Sequence, residues 1–209
     1  ITKKSTEQRP NEVDTWETLA DMYKNARQFV PGANDWVEKS LKKAIELEPT
    51  NPVLHWELGN AYLFADKKKQ AKDQYKQAIQ LKPNYLIAYI SLSKVLASEK
   101  KFDQAIALYQ PIYSQIEKSP QALFNLARLF YNRGGEGDLK RAQQVLQQAI
   151  TQSPNYVNAL YTLGLVYQKQ DKTQQAQKYF DKVKQLTSKP LDRKKQQIEK
   201  FQQTNKNEE

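Results

Sequence analysis

A leucine followed by a small residue comes back along this chain at a nearly constant distance. The pairs are Leu19-Ala20, Leu58-Gly59, Leu92-Ser93, Leu126-Ala127 and Leu163-Gly164, spaced by 39, 34, 34 and 37 residues. Four residues beyond each leucine stands Tyr23, Tyr62, Leu96, Phe130 or Tyr167. A second set of columns follows, with Val37, Ala71, Ala105, Ala142 and Ala176, then Leu41, Tyr75, Tyr109, Leu146 and Phe180, then Ala44, Ala78, Ile112, Ala149 and Val183. Apolar residues at three- and four-residue spacing mark amphipathic helices, and two such stripes per period mark a pair of them. A small residue held in a fixed column signals close backbone approach, so leucine at Gly59 or Ala71 should overpack by ~1–3 kcal/mol. Pro49, Pro83 and Pro154 close three of the units, whereas Pro120 opens the fourth. Proline ends or begins a helix because it cannot continue one.

Composition supports helices buried on one face each. Only 39% of the 209 residues are hydrophobic, and glycine (6) and proline (9) are scarce. β-branched residues do not gather into alternating runs, so sheet is not expected. The pattern predicts helices over 12–27, 35–48, 52–65, 69–81, 86–99, 103–117, 120–133, 139–152, 156–170 and 173–186. A last helix near 190–204 would place Leu191, Ile198 and Phe201 on one side and cap the terminal apolar face.

These columns resemble the tetratricopeptide repeat, with its 34-residue period and its W-x₂-L-G-x₂-Y…A-x₃-F…P pattern. "WELGNAY" at 56–62 and "YTLGLVY" at 161–167 carry the likeness most plainly. The resemblance implies an all-α fold, a right-handed α-solenoid of five helical hairpins with a C-terminal capping helix. The expected division is a lead over 1–10, repeats over 11–50, 51–84, 85–119, 120–155 and 156–187, a cap over 188–204 and a frayed tail over 205–209. Longer turns fall at "FVPGAND" in the first repeat and "RGGEGD" in the fourth, where extra loop length is tolerated.

The resemblance also implies a function class: a non-catalytic scaffold that binds a peptide or protein segment along the first helices of its repeats. Positions −2, +2 and +5 from each leucine form a stripe that mixes large aromatics with single polar or basic groups, as recognition surfaces do. On and beside it the candidate contact residues are Trp56, Asn60, Phe64, Ile90, Lys94, Phe124, Arg128, Tyr131, Tyr161 and Lys169. Residues 1–50 carry a net charge of −1 within a chain of net +10. Asp14, Glu17 and Asp21 would therefore face a partner's basic end, and Lys94, Arg128 and Lys169 its acidic end, near repeats three to five. The basic, tyrosine-rich composition leaves RNA or anionic membrane surfaces as an alternative, although no RNA-binding motif is present. Self-association or a spacer role is a third.

Catalysis, cofactors and metals are not expected. The chain has no cysteine, and its one histidine, His55, falls at a helix-packing position. "GGEGD" follows a helix rather than a strand and lacks a phosphate loop's Gly-Lys-Ser/Thr ending. The longest nearly apolar run, Tyr85 to Leu92, is far below the ~20 residues that span a bilayer. The chain opens without methionine, which reads as a piece of a longer protein. The Lys/Gln-rich repeats are similar to arrays that follow multi-spanning domains of bacterial envelope proteins of the O-antigen ligase or polymerase kind. That similarity implies a module tethered to a membrane through upstream sequence, with the compartment left open.

Overall fold

The computed structural model describes residues 7 and 9–188, so the expected capping helix at 190–204 lies outside the described residues. The described residues are helical and contain no strand. Two compact units divide the chain, one ending at Leu108 and one beginning at Tyr109.

The first unit is built from α1 (Val13–Ala26), α2 (Ala33–Leu47), α3 (Pro52–Phe64), α4 (Lys68–Leu81), α5 (Leu86–Ser98) and α6 (Phe102–Ala107). Each helix packs on its chain neighbour, α1 on α2, α3 on α4 and α5 on α6. The core between them is made of the repeat columns: Leu19, Val37, Leu41, Leu58, Ala71, Tyr75, Ala78 and Leu92 are all buried. In the second unit, a 3₁₀ turn (Gln110–Ile112) and a short α7 (Tyr113–Ile116) lead into α8 (Pro120–Arg133), α9 (Asp138–Gln152) and α10 (Val157–Lys169). A final helix, α11, covers 173–188. Here Leu126, Ala142, Leu146, Ala149, Leu160 and Leu163 form the core.

Local chemistry sets the helix starts. Asn51 caps α3 by accepting from the Val53 N–H at 3.0 Å, with Pro52 at the first helical position. Ser119 caps α8 through the Ala122 N–H at 3.3 Å, again with a proline next. In both places the cap satisfies an orphan donor and proline occupies a site that needs none.

The turns within the hairpins share a device that the columns do not reveal. Asp66, Lys100, Gly134 and Asp171 each lie four residues beyond the aromatic or leucine column and adopt positive φ of 56°, 60°, 67° and 58°. The following N–H then reaches back to the column residue: Lys67 to the Tyr62 carbonyl at 2.8 Å, Lys101 to Leu96 at 2.9 Å and Lys172 to Tyr167 at 3.0 Å. This is the six-to-one bond of a Schellman cap. Glycine suits the position, and aspartate tolerates it. Lysine has no such ease, and a left-handed L-residue costs ~1–2 kcal/mol. Lys100→Gly relieves that strain at some expense in unfolded-chain entropy. It is expected to raise stability by about 0.5 kcal/mol, read as a higher urea midpoint; a lower midpoint would show that the Lys100 side chain stabilises the turn.

One expected helix is broken. The run over 103–117 is not continuous: α6 stops at Ala107 and helix resumes only at Tyr113. Pro111 is the cause. A proline ring clashes with the carbonyl four residues earlier, which is that of Ala107, and removes the N–H that would bond to it.

Candidate functional site

The first helices of successive hairpins carry the stripe. Within the first unit these are α1, α3 and α5; within the second they are α8 and α10.

In the first unit Trp56 is half-buried and bridges two of them. Its indole N–H donates to Ser91 Oγ at 3.0 Å, and its ring meets Tyr85 edge-on at 6.5 Å. The indole dipole is thus used inside the protein, and Trp56 offers a partner part of its ring. Asn60 is half-buried too, and its Oδ1 accepts from the Tyr75 hydroxyl at 2.8 Å. Burial pushes the Tyr75 hydroxyl up to about 12, so it remains a donor at any ordinary pH. Ile90 is half-buried and Lys94 is exposed. Phe64 is 59% exposed, with the Arg27 guanidinium lying over its ring at 4.1 Å. On α1, burial raises the Glu17 carboxyl first, and the negative charges of Glu57 and Asp14 raise it further. Burial would lower Lys24, but hydrogen bonds to Glu57 and Asp21 outweigh it and the amine stays charged.

In the second unit one expectation is corrected. Phe124 is only 7% exposed: Tyr156 packs edge-on against it at 5.3 Å and Arg128 covers it at 5.6 Å. Tyr156 is itself fixed by donating to Gln121 Oε1 at 2.6 Å. Phe124 is therefore a packing residue that supports Arg128, not an open contact surface. The exposed groups are Arg128, Tyr161 at 49% and Lys169. Lys169 Nζ sits over the half-buried Tyr131 ring at 4.2 Å, a cation–π pair joining α10 to α8. Tyr161 tilts against Phe180 at 5.6 Å.

Sequence reasoning missed Ser91, Tyr85, Gln121, Tyr156 and Arg27. A tryptophan on a helix needs an acceptor for its N–H. That requirement, with Ser91 beside the next leucine column, was the available signal for one of them. Arg27 belongs to no column.

His55 holds a turn together. Its Nε2 lies 3.1 Å from the Pro49 carbonyl and its Nδ1 lies 2.8 Å from the Gln74 side chain. Among the described residues no three His, Cys, Asp or Glu side chains gather as metal ligands, and no helix is long and apolar enough to cross a membrane.

Residues 57–121 match the family model for the tetratricopeptide repeat, and residues 98–183 match that for subunit 3 of the anaphase-promoting complex, or cyclosome. The interferon-induced protein with tetratricopeptide repeats 2 of Cricetulus griseus is 29% identical over 137 residues, which cover 64% of this chain and 28% of that protein. The TPR repeat-containing protein YpiA of Bacillus subtilis strain 168 is 26% identical over 159 residues, covering 76% of this chain and 36% of the other. The chain thus spans about a third of the length of these relatives. The solved structure of YrrB, a TPR protein with an unusual peptide-binding site, is 20% identical with a TM-score of 0.65, covering 89% of this chain and 92% of that one. At that identity the likeness is one of fold. The columns, the hairpins and these matches agree: the fold class is the α-solenoid, built of helical hairpins that are similar to tetratricopeptide repeats.

Proposed function

We propose that this chain is a non-catalytic scaffold, five repeats over 11–187, that binds a protein segment on the stripe of its first helices and forms part of a longer protein. Within the second unit the surface that carries the reading is the exposed set of Arg128 and Tyr161 with the Lys169–Tyr131 pair. Two cations beside aromatic rings, on neighbouring helices held by a packed core, suit an extended segment with an acidic end. The ring faces supply area, and the cations supply direction and encounter rate. A preorganised surface of this kind loses little conformational entropy when a flexible segment docks.

The test is fluorescence anisotropy with a labelled extended peptide that ends in a run of glutamates, set against its glutamine counterpart. Arg128→Glu combined with Lys169→Glu is expected to weaken the glutamate peptide by about tenfold or more and to flatten its salt dependence. Equal affinity for both peptides, or no change in the double variant, defeats the reading.

A further inference from the structure

The first unit leaves apolar side chains in water at a place the stripe does not include. Phe29 is 81% exposed, and Val30 beside it is exposed as well. Both lie in the turn after α1, which is folded back so that the Phe29 and Val30 N–H groups each donate to the Ala26 carbonyl at 2.9 Å. Arg27, at the base of this turn, places its guanidinium over the exposed Phe64 ring and so joins the turn to the end of α3. Phe64 stands six residues beyond Leu58, outside the −2, +2 and +5 stripe to which its exposure would otherwise assign it. Exposed apolar side chains grouped in this way mark an interaction surface.

Among the described residues no carboxylate pairs with Arg27. Lys24 pairs with Asp21 and Glu57, Lys42 and Lys67 pair with Glu38, and Lys72 pairs with Glu99. Arg27 has a ring instead of a carboxylate, and its Nε is buried without a hydrogen-bond partner among the described residues. Burial pushes its guanidinium below the ordinary arginine value, as follows when no anion offsets the desolvation. A half-buried guanidinium with no anion beside it is a charge that a carboxylate can offset through a charge-assisted bond to the open part of the group.

We propose that the turn carrying Arg27, Phe29 and Val30, together with Phe64, is a second docking surface, and that its occupant is a protein segment presenting a carboxylate between apolar side chains. The carboxylate pairs with the part of the Arg27 guanidinium that the half-buried side chain leaves open, and the flanking apolar groups cover Phe29, Val30 and the free side of Phe64. This surface is independent of the stripe on α8 and α10.

The experiment uses the full chain and two small probes, 3-phenylpropionate and 3-phenylpropan-1-ol, which share a ring and differ in the anion. Isotope-edited NMR follows the Arg27 Nε–H and the rings of Phe29 and Phe64. The propionate is expected to give a saturable shift at all three, and the alcohol to bind about tenfold more weakly. Phe29→Ser, at a position too exposed to unfold the chain, and Arg27→Gln should each abolish the saturable shift. Equal titration by acid and alcohol overturns the proposal, as does the absence of saturation at Arg27. Concentration-dependent sedimentation abolished by Phe29→Ser overturns it too, since it gives the surface to a second copy of the chain.

Discussion

Replacing Asp138 with alanine is expected to lower the stability of the second unit by about 3 kcal/mol. The carboxylate opens α9 and is fully buried. It accepts from Arg133 Nε at 2.8 Å and Arg133 Nη2 at 2.6 Å, from the Gly135 N–H at 2.9 Å and from Arg141 Nη1 at 3.2 Å. One side chain thus closes the Gly-rich turn between α8 and α9. Alanine leaves the Gly135 N–H unpaired and removes the buried carboxylate that accepts from Arg133 and Arg141, although Arg133 can regain some water because its side chain is not wholly buried. The effect carries a pH signature. Hydrogen bonds from Arg133 hold the Asp138 carboxyl down against burial, which acts the other way, with the Gly135 N–H adding to the lowering, so the folded value falls to about 2. The unfolded value is about 3.9. A depressed folded pKa contributes stability that is complete above the unfolded value and lost as pH falls through the folded one. The gap between wild type and Asp138→Ala should therefore be constant above about pH 5 and close between about pH 4 and pH 2, read from urea midpoints. A gap that persists undiminished at the acid end would show that turn packing, not the carboxylate, carries the effect.

That carboxylate also shows where reading the sequence stops. The hairpins were legible because their apolar columns recur, and a column repeated five times averages out the noise of any one turn. The break at Pro111 could have been anticipated, since it follows from a single residue and its neighbour four positions back. Asp138 could not: "GGEGD" reads as a turn, and only the turn's closure places a carboxylate against Arg133. The same holds for the stripe. Helical spacing puts Trp56, Phe124 and Tyr161 on corresponding faces, but exposure depends on what the next helix places opposite. Ser91 takes the Trp56 N–H and Tyr156 covers Phe124, while Tyr161 tilts against Phe180 and stays 49% exposed. Arg27 and Phe64 touch across 37 positions in a contact no column encodes.

The two repeat glycines share a column but are expected to respond unequally to alanine. A Cβ at Gly59 would stand 2.5 Å and 2.7 Å from Tyr75 Cε1 and Cδ1; at Gly164 it would stand 2.5 Å and 2.9 Å from Phe180 Cε1 and Cδ1. Alanine brings both helices about 1 kcal/mol of intrinsic propensity over glycine, so the outcome turns on whether the facing ring can retreat. Tyr75 cannot. It is fully buried and its hydroxyl is tied to Asn60 at 2.8 Å. Gly59→Ala must bend α3 away from α4 or strain the ring, and a net loss of about 2 kcal/mol is expected. Phe180 lies half-buried on α11 with the exposed Tyr161 tilted across it, so its ring is freer than that of Tyr75 to move out of this short contact. Gly164→Ala is expected to fall within about 1 kcal/mol of wild type. Thermal unfolding gives the ranking, and amide exchange in α3 and in α10 locates each loss in its own unit. Should Gly164→Ala prove the more damaging, ring rigidity is not what decides the close approach, and the small-residue column must be explained by the helix backbones themselves.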